Sequence, residues 1–382
     1  MKVYISVFGK FHGFDLAREL DKKGYLYKIF TTYPKYALKK YNISDDKIIS
    51  LPIFEVFSRA RKFVPFFFLN SYLKNLSIIF DWVCSLYINS KIDIFIGWSG
   101  FAKISMIKCK KMKITTFLER GSAHIVHQRK VLKNEEKKQN VKIFFPEYFL
   151  SKELEEYRLA DQINVPSNFS KKTFPLNLQK KLFVNSYGVD IKLFRQKKNI
   201  KKKFIVLYVG GLSIQKGSHY LLKAMSQLIN NGNSIEFWHV GSVDKQMNSF
   251  IKKYKNSSII FFGHKSFSSL PKYYSKSSVF CIPSIHDGLA LVIPQALACG
   301  LPIICTKNSG GAEFVTNGVN GFLVKPYSAT SIQNKILKLY NDRKLLKKMS
   351  MNSSKIKKSK LLWNLYGHRL INKINLLEKI EN

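Results

Sequence analysis

Apolar positions along this chain fall into short continuous runs, and these alternate with stretches at helical spacing and with glycine turns. Residues 3–8, VYISVF, form the first run; Gly9-Lys10-Phe11-His12-Gly13 comes next, then the helical stretch 14–22, FDLARELDK. A turn at Gly24 leads to a second apolar run at 27–31. Strand, glycine loop, helix, strand is the opening of a doubly wound α/β domain. Further strands are predicted at 93–97, 114–118 and 162–165, and helices at 66–86 and 147–159. The basic stretch 196–203, QKKNIKKK, reads as a linker, after which the run 204–209, FIVLYV, restarts the pattern. Predicted helices at 219–230, 244–254, 269–275 and 293–299 then alternate with strands at 236–240, 259–262, 279–282 and 302–306. Such alternation with short connections specifies parallel sheets. Two Rossmann-like α/β domains facing across a cleft are therefore expected, at 1–195 and 196–355. A terminal segment, 356–382, carries an apolar stripe at Leu370, Ile371, Ile374 and Leu377 that suits a helix packing back on the first domain.

Composition narrows the class. The chain has 382 residues, 46% of them hydrophobic, enough for two cores. Its five cysteines show no CxxC or Cys/His spacing, so no structural metal is expected and a reducing compartment is. The apolar run at the start is too short for a signal peptide. The greasiest stretch, 63–69 (FVPFFFL), and the apolar residues after it are broken by Pro65, Lys74 and Asp81, so no run reaches the roughly 18 residues of a membrane span. It can still lay a helix face on a bilayer surface. The formal net charge is +40. Residue bias accounts for such a charge, and so does attraction to an anionic partner: a membrane leaflet, nucleic acid or phosphorylated substrates. Against a nucleic-acid binder, aromatics are not interleaved with basic residues and no recognition module appears. The expected location is cytoplasmic, peripheral at the inner membrane face.

Three glycine loops are the candidates for chemistry. In the first, residues 209–217 (VGGLSIQKG), glycines let the backbone approach a phosphate and Lys216 brings a cation to a diphosphate. In the second, residues 283–302, Asp287 stands at a strand exit and Gln295 in the following helix, with Gly288, Leu289, Ala290 and Leu291 offering backbone N–H groups between them. Asp287 suits sugar hydroxyls, and equally suits plain helix capping. The third, residues 306–321 (TKNSGGAEFVTNGVNG), carries Glu313 and is equally compatible with simple turn chemistry.

Together these segments resemble the donor half of GT-B glycosyltransferases, specifically glycosyltransferase family 4. The matches are Gly210-Gly211-Leu212…Lys216-Gly217, then Ser284…Asp287-Gly288…Gln295-Ala296…Gly300-Leu301-Pro302, then Gly310-Gly311-Ala312-Glu313…Gly318…Gly321. Tyr187-Gly-Val-Asp190, Phe194 and Trp363…Tyr366 also look like family features. The chain departs from the family pattern at Gly211, usually arginine, and at Asp287 and Gln295, both usually glutamate. The resemblance implies transfer of a sugar from a nucleotide diphosphosugar to a glycan or lipid-linked acceptor with retention, the co-substrate being bound at Gly210, Gly211, Lys216, Gly241, Asp287–Leu291, Gln295 and Glu313. No DxD triplet occurs, so no metal cofactor is expected. The resemblance also places a polar group of the first domain near the anomeric carbon. His124, in the stretch 117–128 (FLERGSAHIVHQ), is the candidate, with His127 a rival and Glu119 and Arg120 orienting it or binding acceptor. Gly9, Lys10, His12 and Gly13 are expected to line the cleft from the acceptor side. A catalytically inactive sugar-nucleotide-binding relative remains the alternative, motivated by Gly211 and Gln295.

Overall fold

The structure is a computed structural model and describes residues 1–196, 203–356 and 361–381. Its first sheet has seven strands: β1 Val3–Val7, β2 Leu26–Thr31, β3 Ile48–Ser50, β4 Ile94–Trp98, β5 Thr115–Glu119, β6 Gln162–Val165 and β7 Leu182–Val184. They lie in the order β3-β2-β1-β4-β5-β6-β7. The second sheet has six: β8 Phe204–Val209, β9 Ile235–Val240, β10 Ile259–Phe261, β11 Val279–Ile282, β12 Ile303–Thr306 and β13 Gly321–Val324. Its order is β10-β9-β8-β11-β12-β13. Every ladder in both sheets is parallel, as in β1 with β4 and β8 with β11. Central strands such as β1 and β8 are buried at every residue, which is why they read as unbroken apolar runs. Each order reverses beside its first strand, at β1/β4 and at β8/β11, and ligands of open α/β sheets bind outside the carboxyl ends at such points.

Elements that bury two faces lie within a residue or two of their predicted bounds. The helices Phe66–Leu86 and Glu147–Leu159 fall where expected. The strands β3, β7 and β13 and the helices Ile53–Ala60, Lys103–Lys111, Ile125–Gln139 and Ala329–Asn341 were not predicted. Short edge strands and lysine-rich helices with a narrow apolar stripe give a weak periodic signal. The lysine- and serine-rich stretch after 342 contains a further helix, Arg343–Lys355, whose first turn is capped by Asp342 Oδ1 accepting from Leu345 N at 2.8 Å. Most of the expected linker at 196–203 lies outside the described residues.

The terminal helix Trp363–Glu381 leaves the second sheet and covers the first. Trp363, Tyr366, Leu370, Ile371 and Ile374 share one buried cluster with Phe14, Leu16 and Leu20 of the helix Gly13–Asp21. Tyr366 donates its hydroxyl to Glu119 Oε1 at 2.9 Å, and Arg369 Nε bonds Asn185 Oδ1 at 2.8 Å.

Candidate active site

The glycine loops after β8 and β11 meet at the carboxyl ends of the second sheet. Lys216 Nζ forms an ion pair with Asp287 Oδ2, so two side chains 71 residues apart are joined across the two strand exits. Asp287 Oδ1 also accepts from Gly288 N at 3.0 Å, which stiffens the turn. Gly217 sits at φ +65°, and a Cβ there would lie 2.1 Å from Pro283 O, so the Lys216 turn closes onto the β11 exit only with glycine. Of the backbone donors expected to face a phosphate, Gly210 N bonds Val240 O, Gly241 N bonds Gly263 O and Ala290 N bonds Ser309 O. Those of Gly211 and Leu289 have no partner among the described residues. The Gly210 carbonyl accepts from or faces His239 Nε2 at 2.9 Å, and the Gly211 carbonyl accepts from Tyr208 Oη at 2.8 Å, fixing the loop from beneath.

Two members of the expected donor set are engaged elsewhere. Gln295 is buried, with its Oε1 accepting from Tyr274 Oη at 3.0 Å. Glu313 reaches across to the first half, where its Oε1 accepts from Asn168 N at 2.7 Å and Asn168 Nδ2 at 3.2 Å.

The facing wall is the turn after β5. A Cβ on Gly288 would stand 2.0 Å from Gly121 O, so the two halves touch backbone to backbone there. Ser167 Oγ donates to Gly288 O at 2.6 Å and closes the same contact. Arg120 holds this turn: Nη2 and Nε donate to Ala123 O at 2.8 and 3.0 Å, Nη2 to Gln128 Oε1 at 2.7 Å and Nη1 to Glu153 Oε1 at 3.1 Å. Its guanidinium is thus fully used within the first half. Glu119 is likewise internal, accepting from Asn164 Nδ2 at 2.7 Å and from Tyr366 and facing His12 Nε2 at 3.3 Å.

The expected cleft residues of the first half divide. His12 is 3% exposed among Trp98, Tyr187, Trp363 and Tyr366, beneath the cleft floor rather than in it. Gly13 is buried at the start of its helix, against Val7. Gly9 N bonds Thr32 Oγ1 at 3.0 Å, and Lys10 reaches the second half, its Nζ 5.4 Å from the centre of the Phe267 ring. His124 caps the helix Ile125–Gln139 through Nδ1, which accepts from Val126 N at 3.3 Å. Its ring lies 5.1 Å from Tyr157 and 4.8 Å from Phe174, and its Nε2, which carries the proton in that tautomer, is buried with no partner. Burial, then the charge of Arg120, push its pKa down to about 4.

Sequence reasoning missed His286. It is fully buried between Ile285 and Asp287, and neither ring nitrogen has a partner. Burial, followed by the charges of Lys216 and Arg120, drives its pKa down to about 3, so the ring is neutral and belongs electrostatically to both halves. Ser122 Oγ, Ser284 Oγ and His127 Nε2 are also buried without partners. Six of the twelve buried polar atoms without a partner among the described residues belong to the segments 122–127 and 284–286, which flank the contact between Gly121 and Gly288, the seam between the halves. Beside the seam, a cavity of about 320 Å³ is lined by Arg120, Gln128, Phe149 and Glu153 from the first half and by Gln215 and Asp244 from the second. Among the described residues no cluster of three or more His, Cys, Asp or Glu has metal-binding geometry.

Two doubly wound halves, each built on a parallel sheet, make up the GT-B architecture. Residues 190–356 match the family model described as Glycosyl transferases group 1. An uncharacterized glycosyltransferase of Methanocaldococcus jannaschii is 28% identical over 204 residues, 53% of this chain and 56% of that protein. The capsular polysaccharide biosynthesis glycosyltransferase CapM of Staphylococcus aureus is 24% identical over 226 residues, 54% of this chain and 59% of CapM. The chain thus aligns with a little over half the length of these curated relatives. In fold it is similar to Anabaena HepE, solved in complex with UDP and glucose, with a TM-score of 0.70 at 16% identity over 98% of this chain and 99% of that one.

Proposed function

We propose that this protein transfers a glycosyl unit from a nucleotide diphosphosugar to a hydroxyl of a glycan or lipid-linked acceptor, with retention at the anomeric carbon and no metal. The observation that carries it is the Lys216–Asp287 pair at the β8 and β11 exits, beside unpaired N–H groups at Gly211 and Leu289. The carboxylate and the cation are ion-paired. A diphosphate takes over Lys216 on binding, and Asp287 turns to sugar hydroxyls.

In the transfer, the bond from C1 to the β-phosphate oxygen breaks and its electron pair goes to that oxygen. Lys216 and the loop N–H groups stabilise the growing negative charge. The acceptor oxygen bonds C1 from the same face, and its proton passes to the departing phosphate. His286, fully buried beside Asp287, stays neutral and so adds no charge of its own to the diphosphate site. The cavity beside Arg120 and Gln128 receives the acceptor. Gly211, in the position of a usual arginine, leaves Lys216 as the principal cation for the diphosphate. Retention and metal independence rest on the family resemblance and on the missing DxD triplet. CapM's role in capsular polysaccharide synthesis supports a surface glycan as product, and the UDP and glucose of HepE make UDP-sugars the first donors to try.

The test is release of nucleoside diphosphate from a panel of UDP-, GDP- and ADP-sugars, with Lys216→Ala alongside. Turnover reduced about 100- to 1,000-fold in the variant, with its melting curve intact, is the expected result. Wild-type rates in Lys216→Ala would remove the role assigned to it. Tight donor binding without turnover by the native protein would instead leave a sugar-nucleotide-binding relative.

A further inference from the structure

Ten of the 22 large hydrophobic side chains exposed among the described residues lie between 53 and 87. Nine of them lie on two consecutive helices, Ile53–Ala60 and Phe66–Leu86, or the turn between them, and the tenth, Tyr87, follows directly. Phe63 and Phe67 are 77% and 75% exposed, and Phe68, Ile79, Trp82 and Leu86 recur at spacings that put them on one face of the longer helix. Polar Ser71 and Asn75 are exposed on that face between Phe68 and Ile79, so the exposure falls in two groups, Phe63, Phe67 and Phe68 at one end and Ile79, Trp82 and Leu86 at the other, and clustered exposed side chains of this size mark an interaction site. No helix among the described residues is long and apolar enough to cross a membrane.

Charge identifies the occupant. Arg61, Lys62 and Lys74, on the same segment, are exposed. Between 56 and 90 the sole acidic residue is Asp81, which is fully buried. Glu55, just before, is taken by Arg59 at 3.0 Å. A symmetric contact with a second copy would set these cations against their own equivalents, in a protein of formal net charge +40. Exposed aromatic side chains on a segment whose exposed charges are cationic, with Lys62 Nζ 4.9 Å from the centre of the Phe63 ring, instead match an anionic bilayer, with rings at the acyl boundary and cations at the headgroups.

We propose that the helices Ile53–Ala60 and Phe66–Leu86 form a docking face for anionic lipid bilayers, inserting Phe63, Phe67, Phe68 and Trp82 below the headgroups. The location bears on the transfer reaction, and this part rests on the reading given under the proposed function. Lys74 Nζ lies 5.5 Å from the centre of the Tyr148 ring, and the next residue, Phe149, lines the cavity between the halves. An amphiphilic acceptor can therefore keep its lipid in the bilayer while its polar head enters the cavity.

Flotation with vesicles of phosphatidylcholine, with and without phosphatidylglycerol, tests the docking face. The native protein should float with the anionic vesicles, and the fourfold variant Phe63→Ser, Phe67→Ser, Phe68→Ser, Trp82→Ser should lose about tenfold or more in partitioning. Because these side chains are exposed, the fold should survive, which circular dichroism checks. Lys344→Glu, Lys347→Glu, Lys348→Glu, on the helix Arg343–Lys355 of the second half, controls for adhesion by charge alone. If that variant loses as much binding as the aromatic one, the proposal is overturned. Brominated lipids should quench tryptophan emission in the native protein but not in Trp82→Phe; no quenching at all would also overturn it. So would a native dimer in lipid-free solution that the fourfold variant converts to monomer. Donor turnover by the fourfold variant in lipid-free solution should equal that of the native protein. If neither turns over any donor, the transfer reading fails while the flotation result stands.

Discussion

His286 has the least ordinary surroundings of any side chain at the seam. Both its nitrogens are unpaired and its pKa is down to about 3, against 6.5 in the unfolded chain. Between those values the unfolded chain binds a proton that the folded one refuses. The stability gained by keeping the ring neutral is whole above 6.5 and is lost as pH falls toward 3. At about pH 5 this ring alone should cost about 2 kcal/mol, so melting temperatures should fall steeply between neutrality and that pH, and His286→Gln should fall less. An equal acid loss in the variant would assign the sensitivity elsewhere. His124, pushed down to about 4, acts in the same direction. No sequence pattern marks His286, because it stands at a variable position of the motif beside Asp287, and only the folded burial shows it to be unpartnered. The engagement of Glu313 is hidden for a related reason. Its partner, Asn168, lies 145 residues earlier, and no local pattern reports a contact across two halves.

Among elements, the polar core between the helices Phe66–Leu86, Lys103–Lys111 and Glu147–Leu159 is the most exacting. Asp81 accepts from Ile104 N at 2.7 Å and Ser105 N at 3.0 Å, capping the middle helix, and pairs with Lys152 Nζ at 3.7 Å. Asp81, Ser105 and Lys152 are all buried. Asp81→Ala strips the cap and strands the Lys152 charge, and should cost about 3–5 kcal/mol in urea unfolding. In the second half, Gly217→Ala should cost about 1–3 kcal/mol from backbone strain alone, before its overlap with Pro283 O is counted, and should displace Lys216. Normal donor turnover in that variant would show that the turn tolerates more than its geometry implies. The strands and the two long apolar helices were legible because their periodicity extends over whole elements. Asp81 appeared only as a break in an apolar run. That it faces inward depends on two neighbouring helices, and the sequence of one helix cannot specify them.

At the scale of the molecule, the halves are held together by more than the cleft. Glu135 of the helix Ile125–Gln139 receives Tyr220 Oη at 2.6 Å and faces His219 Nε2 at 3.0 Å, both on the helix Ser218–Asn230. Burial raises the pKa of Glu135, but the hydrogen bonds from His219, Tyr220 and Gln139 outweigh it and hold the carboxyl below its ordinary value. Glu135→Ala should speed amide hydrogen exchange in both helices at once, though they belong to different sheets; acceleration in one alone would mean the contact does not join them. The two-sheet plan was readable from alternation and glycine turns, while this contact depends on how two polar helix faces meet.

The return of the final helix to the first sheet separates the order of synthesis from the order of completion. Until residues 363–374 have left the ribosome, Phe14, Leu16 and Leu20 lack their cover and Glu119 lacks the hydroxyl of Tyr366. The part made first is therefore finished last. A chain stalled or clipped near its end keeps an intact second sheet but an exposed first one, and becomes a client for chaperones and proteases.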